Sequence, residues 1–357
     1  MILSTRRLNR ALLARQLLLE RSRGSVVKAV ERMGGIQAQY APSAYIGLWS
    51  RLDGFELADL TRALERHRVV QGTIMRSTIH IVSRADYWPF VEAIRRDQRA
   101  WWERTHKRLL AEVDMKQATR LARKALADGP RHRDELVPLV GGTMAWNGVD
   151  LDVVRVPPSG TWERRRADLY ALAEDWVGPS EISEADALVH TLRRYLAAFG
   201  PATLNEAADW AGVNPKTLRP AAESLKLRTF EDEDGRTLLD MPRAPLPDED
   251  VPAPPRFLPV WDATLLVHAR RTQILPERYR PRVFNTKTPH SMPTFLIDGA
   301  VAGAWKVERA KTKATLVLAA FEPLPRAATA ALREEAERLV RFVEADAGSH
   351  AVRIGRS

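Results

Sequence analysis

The chain has 357 residues, no cysteine, a net charge of +10 and a sequence pI near 10.1. This length allows two or three domains with real cores, and the lack of cysteine excludes disulfides, iron–sulfur clusters and thiolate zinc sites. No apolar run reaches the roughly 20 residues that cross a bilayer, and arginines within the apolar N-terminal pattern argue against a signal peptide. The basic balance indicates a polyanionic partner, most often nucleic acid.

The first segment, residues 1–112, has the pattern of a winged helix. Apolar residues at helical spacing predict helices, and two β-branched runs then predict a hairpin. The helices cover about 5–20, 25–33, a stretch from Pro42 and 56–66, and the strands cover 69–75 and 78–83. Arg76 and Ser77 connect the two strands and are candidate DNA contacts, and a long helix from Asp86 to about Leu110 leaves the module.

The second segment, residues 113–184, starts with two predicted helices, a strand and a proline turn. A further helix is expected over 162–176, with Thr161 as its N-cap. Arg164 and Arg165 would lie in its first turns, where positive charge opposes the helix dipole. A solvated basic face and a phosphate contact are both compatible with these arginines, so they are candidate DNA contacts.

The third segment, residues 185–245, shows the winged-helix pattern most clearly. Helices are predicted over 185–199 and 203–210, and Asn214 caps a third helix that has proline at its first position. A hairpin with a turn at an Asp-Gly pair follows. Lys216, in the first turn of the third helix, is a candidate DNA contact, although winged helices also serve as protein-contact modules.

The last segment covers residues 246–357. A proline-rich acidic linker over 242–256 spans the boundary between the third segment and this one. Apolar and β-branched runs then predict a small β-barrel or a strongly bent sheet, closed by a helix over 327–345. The segment 277–293 is polar and basic, and it suits either a DNA groove or a mobile loop. The candidate DNA contacts in this part are Arg270, Arg271, Lys287 and His290. The predicted fold class is α+β, with three tandem winged-helix modules followed by a β-barrel-like domain.

Two glutamines at a glycine-bounded turn are the candidate catalytic residues. Gln37 and Gln39 follow Gly34 and Gly35, and the sequence Tyr-Ala-Pro-Ser comes directly after them. A carboxamide donates and accepts hydrogen bonds at once, so a pair can hold a water or a sugar in one orientation. The alternative is that both side chains satisfy backbone groups at helix ends.

Five blocks of the sequence resemble the AlkZ-type DNA glycosylases, a bacterial family built from tandem winged-helix modules. The blocks are GGIQAQYAPSAYIGLWSRL (34–52), RSTIHIVS (76–83), VPPSGTWERRRADLYALAEDW (156–176), FGPATLNEAADWAG (199–212) and LPVWDATLLVHARR (258–271). They occur in order and cover nearly the whole chain. A related branch of this family has aspartate at the second motif position, so Gln39 assigns the chain to the glutamine–glutamine branch.

The resemblance implies hydrolysis of the N-glycosidic bond of an alkylated purine. An N7-alkylguanine already carries a positive charge and leaves as a neutral base, so the enzyme needs no strong general acid. The remaining task is to hold a water under C1′ and to stabilise the developing cation. Gln37 and Gln39 would do this together. No lysine nucleophile accompanies them, so a monofunctional reaction that leaves the strand intact is expected.

Other polar residues are weaker candidates. His80 lies between two isoleucines on a predicted strand, where it either lines the site or makes a structural hydrogen bond. Asp262 either orients an arginine such as Arg270 or caps a turn. Ser43 and Ser77 have no adjacent Asp–His pair, so a hydrolase triad is not supported.

The expected partner is double-stranded DNA that carries alkylated bases, including bulky adducts or interstrand cross-links. No cofactor, metal or membrane is expected, because the chain has no nucleotide-binding glycine motif and no HExxH spacing. A monomer in the bacterial cytoplasm, associated with the nucleoid, fits these expectations. The alternative function is a non-catalytic winged-helix regulator or architectural DNA-binding protein.

Overall fold

The computed structural model describes residues 1–266, 272–284 and 291–356, which form an α+β fold. The helices are α1 (Thr5–Arg15), α2 (Val26–Met33), α3 (Ala41–Trp49), α4 (Leu57–Glu65), α5 (Arg84–Thr105), α6 (Lys107–Glu112), α7 (Met115–Leu126), α8 (Arg133–Leu139), α9 (Thr143–Gly148), α10 (Ala173–Val177), α11 (Glu184–Phe199), α12 (Leu204–Ala211), α13 (Pro215–Ser224), α14 (Ala263–Leu266), α15 (Arg280–Val283) and α16 (Arg326–Val343). The strands are β1 (Ile2–Leu3), β2 (Ile36–Gln37), β3 (Val69–Thr73), β4 (Ile79–Ser83), β5 (Arg131–His132), β6 (Val153–Arg155), β7 (Leu169–Leu172), β8 (Arg228–Asp232), β9 (Thr237–Asp240), β10 (Arg256–Leu258), β11 (Thr294–Ile297), β12 (Ala300–Ala310), β13 (Lys313–Ala320) and β14 (Ser349–Arg356). Within these ranges, no helix combines the length and apolar character that spanning a membrane requires.

Side-chain caps begin many of the helices. The Ser4 hydroxyl accepts a hydrogen bond from the Arg7 amide at the start of α1. Such a bond satisfies one of the amides that lack a partner at a helix N-terminus. The same type of cap is made by Ser25, Ser83, Ser183, Thr203 and Asn214.

A six-stranded antiparallel sheet joins the first two segments. Its order is β2-β4-β3-β6-β7-β5. The β3–β4 hairpin predicted from the sequence is therefore not a free wing, because Gln71 and Gly72 of β3 pair with Arg155 and Val154 of β6. Among the described strands, β2 pairs with β4 alone, so the motif strand lies at an edge of this sheet.

The predicted helix over 162–176 is wrong. Residues 169–172 form β7, in which Ala171 pairs with Val154, and only the five residues of α10 are helical. Burial of β7 against β6 outweighs local helix propensity. Arg164 therefore lies in a loop, closed by a 2.8 Å hydrogen bond from the Gly160 amide to its carbonyl.

The third segment folds as the sequence predicts. Helices α11, α12 and α13 precede the β8–β9 hairpin, and β1 pairs in parallel with β8. An aromatic core joins this segment to α5, since the ring of Trp210 lies 5.7 Å from that of Phe90 and 5.4 Å from that of Tyr195. This core fixes α11 and α12 beside the end of α2, which leads into the glutamine motif.

The C-terminal sheet is open, so the expected β-barrel is wrong for the described strands. Its order is β10-β11-β12-β13-β14, and β10 and β14 form the two edges. Helix α16 lies against β13 and β14, with Leu332, Ala336 and Leu339 fully buried, so a helix covers an apolar face that barrel closure would otherwise bury. The segment 277–293 also contains a 3-10 turn and α15, so its described part is not simply a loop.

Candidate functional site

Two glycines turn the chain from α2 into the glutamine motif. Gly34 has a left-handed φ of 72° and ends α2, and Gly35 follows with a φ of 91°. A Cβ at Gly34 would lie 3.3 Å from Phe199, and a Cβ at Gly35 would lie 3.1 Å from Val82. The glycines are required both for their backbone conformation and for close packing on α11 and β4.

Gln37 is held between β4 and an arginine. Its backbone pairs with His80, and its side chain is only 7% exposed. The Nη2 group of Arg76 donates a long hydrogen bond of 3.4 Å to Gln37 Oε1, while Nη1 donates to the Trp210 carbonyl at 2.6 Å. Arg76 thus connects the catalytic candidate to α12.

Gln39 satisfies a backbone group of the same strand. Its Oε1 accepts a hydrogen bond from the Ile79 amide at 3.0 Å, and the Ala38 amide donates to the Ile79 carbonyl at 2.7 Å. One oxygen of this otherwise exposed side chain thus satisfies a backbone group of a strand, not of a helix end. A carbonyl oxygen has a second lone pair, so the contact still permits a bound water.

His80 is buried and neutral. Its Nδ1 lies 3.0 Å from the Thr78 carbonyl, which can only accept, so Nδ1 carries the proton and donates. Burial, followed by the positive charge of Arg76, lowers the pKa of His80 to about 3. His80 is therefore a neutral hydrogen-bonding group beneath Gln37 and carries no proton to the reaction at neutral pH.

The turn between β3 and β4 is strained. Arg76 and Ser77 have left-handed φ values of 53° and 57°, which residues other than glycine seldom adopt. Gln98 of α5 donates to Ser77 Oγ at 2.9 Å, and the Gly212 backbone lies against Arg76. Backbone strain of this kind often occurs at functional sites.

The arginine loop, residues 158–168, reaches the motif. The Nη1 group of Arg165 donates to the Tyr40 hydroxyl at 3.1 Å, and its guanidinium lies 5.4 Å from the Trp162 ring centroid. The loop lines a cavity of about 270 Å³ together with His132 and Leu169. Arg166 pairs with Asp168, whereas Arg164 and Arg165 form no ion pair with any described carboxylate. Sequence spacing could not bring Arg165 and Tyr40 together, because 125 positions separate them.

Lys216 is exposed in the first turn of α13, and its amide donates to the capping Asn214 side chain at 2.9 Å. Asp97 of α5 accepts bonds from the Asn214 amide and the Thr217 hydroxyl, which fixes this helix end. Helix α13 follows Gly212, so Lys216 belongs to the element next to Arg76.

Asp262 has a structural role. Its carboxylate accepts two 2.9 Å hydrogen bonds from Arg51 and further bonds from the amide and hydroxyl of Thr264. The turn-capping interpretation is therefore correct, and the partner arginine is one that the sequence did not single out. The remaining candidates, Arg270, Arg271, Lys287 and His290, lie outside the described residues.

Over 1–266, 272–284 and 291–356, no three His, Asp or Glu side chains are grouped as the ligands of a metal ion would be. The polar groups at the glutamine motif are carboxamides, a guanidinium and a neutral imidazole. These groups can orient a water and a sugar through hydrogen bonds.

Comparisons with known proteins show a structural relative and a family for this chain. The chain resembles the solved structure of the Streptomyces sahachiroi DNA glycosylase AlkZ, with a TM-score of 0.80 and 20% sequence identity over 99% of this chain and 100% of that one. No curated protein sequence matches the chain. The sequence model of the AlkZ-like DNA glycosylase family matches residues 30–342, which include the glutamine motif, the arginine loop and the third segment. The chain therefore belongs to the AlkZ-like DNA glycosylase family.

Proposed function

We propose that this protein hydrolyses the N-glycosidic bond of N7-alkylguanine in duplex DNA, including bulky adducts and interstrand cross-links. The C1′–N9 bond breaks, its electron pair neutralises the cationic base, and a water oxygen bonds to C1′. The water loses its proton to solvent. Because the leaving base is already charged, this reaction needs positioning and electrostatic stabilisation more than acid catalysis.

The observation that carries this proposal is that strand β4 fixes both glutamines. It pairs with the backbone of Gln37 and donates its Ile79 amide to the Gln39 side chain. Gln37 Oε1 and Gln39 Oε1 each accept one described hydrogen bond, and each keeps a lone pair that can accept from a water. One acceptor would orient the attacking water, and the second would contact the water or the sugar. The neutral His80 beneath them adds no positive charge opposed to the oxocarbenium ion.

The proposed reaction is monofunctional. A lysine nucleophile would form a Schiff base at C1′ and allow strand cleavage. Within the described residues, neither Gln37 nor Gln39 forms a hydrogen bond with a lysine. Carboxamides would leave an abasic site in an intact strand, so borohydride should trap no protein–DNA adduct.

The proposed DNA contacts come from several segments of the chain. They are Arg76, Ser77, His80, Arg164, Arg165 and Lys216, together with the four candidates outside the described residues. The link from Arg165 to Tyr40 supports a phosphate contact beside the reaction centre. A buried His80 would act from below the surface, through β4, which pairs with the motif strand β2.

The proposed organisation has three winged-helix modules, over 1–112, 113–184 and 185–245, and a C-terminal domain over 246–357. The order of helices before the β3–β4 and β8–β9 hairpins supports the first and third modules. A monomer that works on the bacterial nucleoid in the cytoplasm would fit an enzyme that encloses one duplex.

A base-release panel tests the activity. Purified protein is mixed with duplexes that contain N7-methylguanine, a bulky N7 adduct, an interstrand cross-link or no lesion, and free base is measured by mass spectrometry. We expect base release from charged N7 adducts and strand breaks only after alkali. Tight duplex binding without release of any base would instead support the alternative, a winged-helix regulator or architectural protein.

A further inference from the structure

In addition to the cavity at the arginine loop, the protein has a cleft lined by basic residues, and neither motif glutamine lines it. This cleft has a volume of about 850 Å³ and is bounded by α1, α2, α11 and the segment 241–245. Its basic lining consists of Arg15, Arg32, His190, Arg193, Arg194 and Arg243. On α11, the spacing of 190, 193, 194 and 197 places the lining residues on one helical face.

Arg15 has a structural role in this cleft. It is fully buried and donates five hydrogen bonds, to the carboxylate of Asp240 and to the carbonyls of Leu196 and Pro245. These bonds fix the segment 241–245 against α11. Asp240 also accepts a 2.6 Å bond from Arg228, so its single negative charge is shared by two guanidinium groups.

Arg194 is also paired. Asp86 is 1% exposed, and its Oδ1 accepts from Arg194 at 2.8 Å and from His190 at 2.7 Å. The only carboxylates paired with the described lining residues are thus Asp86 and Asp240, and both are already engaged by buried or half-buried groups.

Among the described residues, three lining arginines have no counterion. Arg32, Arg193 and Arg243 are exposed, and none has a carboxylate within 4.0 Å among the described residues. Arg32 donates one hydrogen bond to the Ala14 carbonyl at 3.1 Å. Guanidinium groups grouped in one cleft repel each other, and an anion with several acceptor oxygens would relieve this repulsion.

The cleft is close to the reaction centre along the chain. Arg32 and Gln37 are five positions apart in the chain, so their Cα atoms are at most about 18 Å apart. We infer that this cleft binds a phosphate group through Arg32, Arg193 and Arg243. The phosphate comes either from the DNA backbone or from a free polyphosphate, and a planar guanidinium matches both.

Matched charge variants test this inference. Arg193→Gln with Arg243→Gln removes two cleft charges, and Arg120→Gln with Arg326→Gln removes two exposed charges on α7 and α16. Binding of an unmodified duplex is measured by fluorescence anisotropy between 50 and 200 mM salt, and binding of inorganic pyrophosphate is measured by calorimetry without DNA. Unmodified DNA keeps the result independent of base release.

We expect the cleft variant to reduce the slope of log affinity against log salt by about 1 to 2, while the control changes it less. A reduced slope identifies the DNA backbone as the phosphate source. Loss of pyrophosphate binding at an unchanged slope identifies a free polyphosphate. The inference is overturned if neither measurement changes, or if the control reduces the slope as much as the cleft variant.

Discussion

At the scale of single residues, the two motif glutamines differ in how they are held. Gln37 is buried against Arg76, whereas Gln39 is exposed and accepts the Ile79 amide. Removal of the Gln39 side chain therefore leaves the Ile79 amide without its described partner and should cost about 1 kcal/mol of stability. Removal of the Gln37 side chain should affect the geometry of the candidate site more than the stability of β2.

Gln37→Ala and Gln39→Ala should each slow base release by about 10²-fold or more, by analogy with loss of a preorganised hydrogen-bonding group. DNA binding should change little. Single-turnover excision of a charged N7 adduct measures the effect. Gln39→Glu is the sharper comparison, because a carboxylate can still accept the Ile79 amide and adds a possible base. Wild-type rates in both alanine variants would show that the pair is purely structural.

His80 should make stability depend on pH. The unfolded histidine has a pKa near 6.5, and burial lowers the folded pKa to about 3. As the pH falls below about 6.5, only the unfolded state gains this proton. The contribution of neutral His80 to the free energy of unfolding is therefore complete above about pH 6.5. It is lost toward pH 3, at up to about 1.4 kcal/mol per pH unit. Urea denaturation at pH 7, 6 and 5 should show a steeper loss for wild type than for His80→Gln.

Parallel stability curves for wild type and His80→Gln would contradict a neutral buried imidazole. The rate of base release should not follow titration of His80 between pH 6 and 9, because this group keeps its neutral form across that range.

At the scale of elements, the arginine loop replaces the helix that the sequence predicts. Strand pairing of β7 with β6 leaves residues 158–168 as a loop. The loop carries Arg165 to Tyr40, directly after Gln39 in the chain. A helix would have placed the arginines by helical spacing, whereas the loop places only Arg165 in contact with the motif.

The two loop arginines should therefore behave differently. Arg164→Ala should weaken DNA binding equally for all sequences, as expected for a phosphate contact. Arg165→Ala should weaken binding and also slow single-turnover base release, because it frees Tyr40. Anisotropy and base release on one lesion duplex measure both effects. If both variants change the rate of base release equally, Arg165 has no special role in the reaction. If both variants bind DNA like the wild type, the arginine loop is not part of the DNA surface.

At the scale of the whole molecule, one buried ion pair connects the N-terminal helices to the C-terminal segment. Arg51 is fully buried, donates to the Gln16 and Gly47 carbonyls, and pairs with Asp262 at 2.9 Å. Trp49 and Phe342 stack near this connection, with ring centroids 5.8 Å apart. The C-terminal sheet is thus built against the helices that follow the glutamine motif.

Arg51→Ala should destabilise the protein by about 3–5 kcal/mol, because it leaves Asp262 buried without its partner. Arg51→Met combined with Asp262→Asn should cost less than Arg51→Ala, since no uncompensated charge remains. Urea midpoints of the three proteins measure the difference. If Arg51→Ala is as stable as wild type, the pair contributes nothing to holding the two parts together.

The sequence by itself determined the features that depend on local chemistry. The cap at Asn214 and the glycine-bounded turn at Gly34 and Gly35 follow from residues within a few positions of each other. Apolar spacing likewise predicted most helices and the β3–β4 hairpin, and the family resemblance points to the glutamine pair as the candidate site.

Only the tertiary structure decided how distant segments meet. The pairing of β3 with β6, the open C-terminal sheet, the contact of Arg165 with Tyr40 and the pair of Arg51 with Asp262 each join residues far apart in the chain. Their stability comes from burial and from hydrogen bonds across that separation, which no local periodicity encodes. The same reason explains why 162–176 has helical character in the sequence and yet folds largely as a loop and a strand.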